Sequence, residues 1–248
     1  IDSAGSLEVD AAGKVDLSGA KVEYSEVGVL RLVAGSTDSD ALKVFAHENN
    51  TFKGAEVVLD SAGGLIFAAE TSITVETSSG QAVLKGQKID LKSGSSVKAA
   101  GEATVRGYDS LVLGDKISVG GSSVSITGGQ QAFSLGNNVS LTATNGGIEV
   151  LADADATLGG SLNVNASLKD PSAGDEAPIR IGAQGVLNVT EDKFEVIAEN
   201  GSVDIFGGNR LNIKNDLTII SASDSSLTSE NGLIDIGNKA TVKAGTQS

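Results

Sequence analysis

The chain has 248 residues, a formal net charge of −14, 32 Gly, only 2 Pro, no Cys and 3% aromatic residues. The acidity excludes nucleic-acid binding, which needs a basic patch to meet phosphate, and the lack of Cys excludes disulfides and thiolate metal sites. So few rings cannot fill a wide globular core, which leaves Val, Leu, Ile and Ala to fill a narrow one.

Short units recur from the start. Leu7-Glu8-Val9, Val15-Asp16-Leu17, Val22-Glu23-Tyr24 and Leu30-Arg31-Leu32-Val33 begin seven or eight residues apart. A strand sends successive side chains to opposite faces, so an apolar-polar-apolar triplet offers two groups to a core and one to water. A helix would need apolar residues at three- and four-residue spacing, and no long window supplies it. Leu42-Lys43-Val44 follows, and then a polar stretch near 46–54 that holds the chain's single His, His47. No partner for metal binding or acid–base work stands near His47, so it reads as a solvated side chain.

From 55 to 135 the units are most regular, among them Ile73-Thr74-Val75, Ile89-Asp90-Leu91, Val124-Ser125-Ile126 and Phe133-Ser134-Leu135. Around Val97 and Val105 they weaken and predict a narrower rung. Val57-Val58-Leu59, Leu65-Ile66-Phe67 and Leu111-Val112-Leu113 put Val58, Ile66 and Val112 outward, as isolated surface residues or as contacts to a covering loop or a partner. Val139-Ser140-Leu141, Ile148-Glu149-Val150 and Leu162-Asn163-Val164 continue the series. Asp153 and Asp155 alternate as in part of a calcium loop, but the further oxygen ligands and the distal Glu of such a loop are missing, and they read as turn acids.

Residues 167–178 contain both prolines, Pro171 and Pro178. Proline cannot donate to a β-ladder, so this segment is an excursion. The triplets then resume, from Ile179-Arg180-Ile181 to Leu211-Asn212-Ile213, Ile234-Asp235-Ile236 and Thr241-Val242-Lys243. Gly, Asn, Ser and Asp fill the gaps, as tight corners require.

Each unit can bury only two or three side chains, so neighbours must stack into a continuous core. The reading is an all-β solenoid, a β-helix, running as one rod over residues 1–248 with excursions near 46–54 and 167–178. It takes one of two forms. In a single-chain β-helix three units make a coil, and about ten coils at the ~4.8 Å strand spacing give a rod of roughly 48 Å. In an intertwined multi-chain helix each unit is a rung, and the rod reaches roughly 140 Å. No amphipathic helix caps either end, which favours the intertwined form or end-to-end assembly, since open edges invite pairing.

The function that follows is mechanical: an extracellular or cell-surface structural or adhesive fibre, without catalysis, assembling laterally or end to end into a filament or a trimeric shaft. Its expected partners are copies of itself and a surface or matrix component. No nucleic acid, cofactor or metal is expected. P-loop and dinucleotide fingerprints are absent, and no run approaches the ~20 apolar residues of a membrane span. The chain has no Met, even at position 1, and so reads as a piece of a longer protein; no signal peptide is visible, and an anchor, if one exists, lies outside this segment. Asn49, Asn138, Asn165, Asn188 and Asn200 open Asn-X-Ser/Thr sequons and are candidate N-glycosylation sites at turns. The alternative is a carbohydrate-active or carbohydrate-binding β-helix. Against catalysis, the outward acids (Glu8, Asp16, Asp90, Glu149 and others) are spread along the chain and do not form the close carboxylate pair that sugar hydrolysis uses.

The run Ser229 to Gly245, SENGLIDIGNKATVKAG, resembles the repeating phrases of sarcoglycan ectodomains. That resemblance implies an extracellular, membrane-anchored β-helix linking cell surface to matrix; the Cys cluster and membrane span of that family have no counterpart here. Asp155 to Asn165, DATLGGSLNVN, is similar to the shaft phrases of phage tail fibres, and the Gly-Asn-rich rungs resemble filamentous-haemagglutinin adhesins. All three imply a mechanical or adhesive role, and none transfers a functional residue.

Overall fold

The computed structural model describes residues 2–3, 7–17, 23–24, 29–44, 51–52, 56–67, 71–75, 80–167, 178–190, 193–214 and 216–245. Their regular structure is all strand, and the strands pair in parallel, each with the strand one coil later in the same chain. The step between paired residues runs from 21, Ala103 to Val124, to 32, Leu162 to Phe194. The fold is a β-solenoid with three faces per coil.

On the first face Leu84 lies between Leu59 and Val105. On the second, Ile89 lies between Leu65 and Leu111. On the third, Val97 lies between Ile73 and Val119. The triplet rule therefore holds at the level of packing: identical inward positions stack into columns about 4.8 Å apart. Leu59, Leu84, Val105, Ile126 and Ile205 on the first face are all fully buried, and each such side chain contributes about 1.5–3 kcal/mol by leaving water. The weak units are core too, for Val97, Ala103 and Val105 are fully buried. Phe67 and Phe194 are the widest fully buried groups.

Of the two forms, the structure takes the single-chain one. Leaning to the intertwined form is corrected by the ladders themselves: an intertwined helix needs partner strands from other chains, whereas here each coil finds its partner in the next coil of its own chain.

A second difference concerns the corners. Triplets such as Val57-Val58-Leu59 and Leu65-Ile66-Phe67 predict separate strands, yet Glu56–Phe67, Ala82–Leu91 and Ala103–Leu113 each run through a corner without a break. Glycine makes this close passage feasible: a Cβ on Gly64 would stand 1.8 Å from the Ser39 carbonyl oxygen in the coil before. Elsewhere inside corners, buried hydroxyls meet the backbone groups that turn inward. Ser61 Oγ donates to the Gly64 carbonyl (3.1 Å) and Ser95 Oγ to the Lys92 carbonyl (2.7 Å). An unpaired buried polar group would cost about 1–3 kcal/mol. The excursion near 46–54 falls outside the described residues except for Thr51–Phe52, and that at 167–178 except for Ser167 and Pro178.

Candidate functional site

The corner between the first and second faces carries the clearest irregularity. Leu59 and Leu65 stand six residues apart, as do Val105 and Leu111, but Leu84 and Ile89, stacked between them, stand five apart. Gln87 alone therefore spans a corner that Ala62-Gly63 spans in the coil before and Tyr108-Asp109 in the coil after. Mismatches of this bulge type re-aim side chains and recur beside functional sites. Here the shorter corner is set back, leaving a groove of about 530 Å³. Thr37, Ser39, Gln87, Lys88 and Asp109 stand around it, over a floor of Ala62, Gly63 and Gly64.

Its upper wall is the loop 35–41, the long corner of the preceding coil. Two contacts fix that loop. Gly63 and Gly64 pass directly beneath it, so close that a Cβ on Gly63 would lie 2.1 Å from the Asp38 carbonyl oxygen. Lys14, one coil earlier, reaches up to Asp40 Oδ1 (2.6 Å) and Asp38 Oδ2 (3.0 Å), while Lys43 Nζ meets Asp40 Oδ2 (2.8 Å). The Lys14 hydrogen bond, followed by that of Lys43, lowers the Asp40 carboxyl from 3.8 to about 2. Lys14 likewise lowers Asp38, with Ser36 adding to it, and Lys14 is itself raised, by Asp40 first and Asp38 second.

These groups are solvent-exposed, so the cluster locates the loop more than it stabilises the rod. The sign of its pH dependence is fixed, however. A carboxyl whose folded value is depressed stabilises the fold above its unfolded value and loses that contribution as pH falls through the folded one. The urea midpoint is expected to drop between about pH 4 and about pH 2, and the drop should shrink in Asp40→Asn. An identical drop in wild type and Asp40→Asn would remove this cluster from the explanation.

Beyond the groove, two aromatic rings sit on the outside of the rod, each under an arginine. The Arg106 guanidinium lies 4.9 Å from the Tyr108 ring centre, and Arg180 4.9 Å from that of Phe206. Such stacking is worth about 0.5–1 kcal/mol at exposed sites. Phe206 lies flat across Gly182 of the coil before, where a Cβ would stand 2.2 Å from the ring. Tyr108 is more open, at 39% exposure, and adjoins Asp109 of the groove.

The residues singled out from sequence are scattered over the rod rather than gathered. Asn138 is exposed at a corner with a positive φ of 57°. Asn165 faces outward on the third face, between Thr142 and Ile197. Asn188 accepts a hydrogen bond from Asn212 Nδ2 (3.1 Å), its register partner in the next coil on the second face. Asn200 lies in the turn after Lys193–Ala198. Asn49 and His47 are outside the described residues.

Among the outward apolar residues, Val58 and Ile66 are half-buried and Val112 exposed. Each belongs to a different coil or face. Asp155 is a turn acid in fact: its Oδ1 accepts the Val186 backbone N–H (2.7 Å), tying one coil to the next. Asp115 does the same for the Asn137 N–H (2.7 Å), and Asn137 Oδ1 for the Gly160 N–H (2.8 Å). Among the described residues no three His, Cys, Asp or Glu side chains come together as a metal site.

The groove is not visible to the triplet rule, which scores apolar pairs and passes over Gln87 and Lys88. The usable signal is the five-residue step from Leu84 to Ile89 between two six-residue steps.

The chain matches no family model, no curated protein and no solved structure. The likenesses to sarcoglycans, tail fibres and haemagglutinin adhesins therefore rest on the short phrases quoted for them. No helix of the described residues is long and apolar enough to cross a membrane.

Proposed function

We propose that this chain is a passive structural or adhesive rod, extracellular or on a cell surface, that works through length and stiffness and adds to itself end to end. The observation that carries the reading is the run of parallel ladders on three faces, which makes every coil both a partner for the coil before and a template for the next.

In the isolated 248-residue chain the end-to-end part would use the last described coil. Leu227, Ile236 and Val242 are in register with the buried Ile205, Ile213 and Ile219, yet Leu227 and Ile236 are only partly buried and Val242 is 48% exposed. Its strands Ser225–Ser229, Ile234–Ile236 and Ala240–Lys243 each pair on one side only among the described residues. Open strand edges beside an apolar surface favour pairing with another chain. The occupant in this reading is the first coil of a second copy. A surface or matrix partner, and an extracellular place, belong to the same proposal; the exposed sequon at Asn138 supports them.

Electron microscopy and sedimentation test it. The purified chain is expected to form rods that lengthen with protein concentration, and Leu227→Glu with Val242→Glu should leave single rods about 48 Å long, from ten coils at ~4.8 Å. A 24.8 kDa monomer at every concentration, or filaments indifferent to the double substitution, would sink it.

A further inference from the structure

The set-back corner at Gln87 has the composition of a binding site and no structural duty that explains it. Its polar side chains project from loops and corners and bear on no core position. The groove crosses successive coils, from the loop 35–41 to Asp109, and so runs along the rod rather than around it. An elongated ligand of small cross-section fits that shape. The donors and acceptors around it are hydroxyls (Thr37, Ser39), a primary amide (Gln87), an ammonium (Lys88) and a carboxylate (Asp109), the set that hydrogen-bonds a polyhydroxylated ligand.

Charge narrows the class. The groove's own lining carries Lys88 and Asp109, and the outward positions in register beside its corner on the first face are Asp60, Lys85 and Arg106. Three cations against two carboxylates leave a local excess of one positive charge on a chain of net −14. Asp90 is already engaged with Lys92. Lys88 stands exposed at the groove itself.

The geometry points to a binding site for an acidic oligosaccharide along the first corner, with Lys88 meeting a uronate carboxylate and Gln87, Thr37 and Ser39 meeting sugar hydroxyls. This goes beyond the rod reading and does not depend on it; a rod without this site is still a rod.

Titration calorimetry with tetragalacturonate and with neutral cellotetraose provides the test. The emission of Tyr108 gives a second readout, since the chain has two Tyr and no Trp. Tetragalacturonate is expected to bind more tightly than cellotetraose, and more weakly as salt rises. Lys88→Glu should weaken it about tenfold, the scale of one charge-assisted hydrogen bond. Lys214→Glu, an exposed lysine distant in sequence from the groove, should leave affinity unchanged. A Gly inserted after Gln87 restores the two-residue corner of the neighbouring coils and should abolish binding. Equal affinity for the acidic and neutral sugars, a Lys88→Glu variant that binds as wild type does, or no heat with either sugar would overturn the assignment.

Discussion

Gly128→Val is expected to lower stability by at least about 3 kcal/mol, and to leave little folded protein if the wild type sits at the usual margin. Gly128 has φ of +118°, a conformation closed to side chains, and holding a non-glycine residue there costs about 1–3 kcal/mol. Space is lacking as well. A Cβ at 128 would stand 1.8 Å from the Gly107 carbonyl oxygen, the same oxygen that accepts the Gly129 N–H at 2.7 Å. On the other side the Gly128 carbonyl accepts the Asp153 N–H at 2.8 Å. Moving the backbone to relieve the clash strains both bonds, each worth about 0.5–1.5 kcal/mol net.

Gly120 is the control. It lies in the strand Ser118–Gly121, and a Cβ there would meet nothing nearer than the Thr142 carbonyl oxygen at 3.7 Å. Gly120→Val should therefore be neutral or stabilising, since glycine in a strand interior carries an entropic cost of about 0.5–1 kcal/mol relative to Ala. Urea unfolding of the two variants checks the contrast. Equal losses would mean that corner geometry is not what limits this fold.

How much of this was legible beforehand depends on which physical property each residue advertises. Leu211 and Ile213 announce the inward face because alternation in a strand is rigid, and both are buried. Stacking followed from the small capacity of each unit. Register did not: the step varies between 21 and 32 residues, because corners differ in length and a triplet carries no label saying which triplet lies above it. The same degeneracy left one chain and three chains undecided.

The groove was harder still. Gln87 and Lys88 look like any polar corner residues until Leu84 and Ile89 are set between their neighbours in adjacent coils. A recess is a difference between three coils, and no single coil contains it. Roles such as that of Asp155, a carboxylate bonded to a backbone N–H 31 residues later, are likewise invisible until register is known.

Phe194→Ala is the second large effect, at about 3–5 kcal/mol. The ring is fully buried and stacks between Leu162 and Leu217. Truncation empties much of one rung. A globular core could partly collapse into the space, but here the third-face strand is bonded to both neighbours, and the coil cannot shift inward without breaking ladders on two sides. The cavity term is therefore retained nearly in full.

Location of the damage is the sharper prediction. In a solenoid each coil contacts only the coils beside it, so stability is a sum of local terms and a weak coil divides the rod. Hydrogen exchange should speed up in Asp216–Ser221 and Ala240–Lys243, on the far side of the lesion, while Ala82–Leu91 and Ala103–Leu113 keep their protection. Ile197→Ala, three residues away on the outward side and half-exposed, should cost under about 1 kcal/mol and change no pattern. Uniform loss of protection along the whole chain in Phe194→Ala would show a single cooperative unit and contradict the one-dimensional account, because coils coupled that tightly could not be described by neighbour contacts alone.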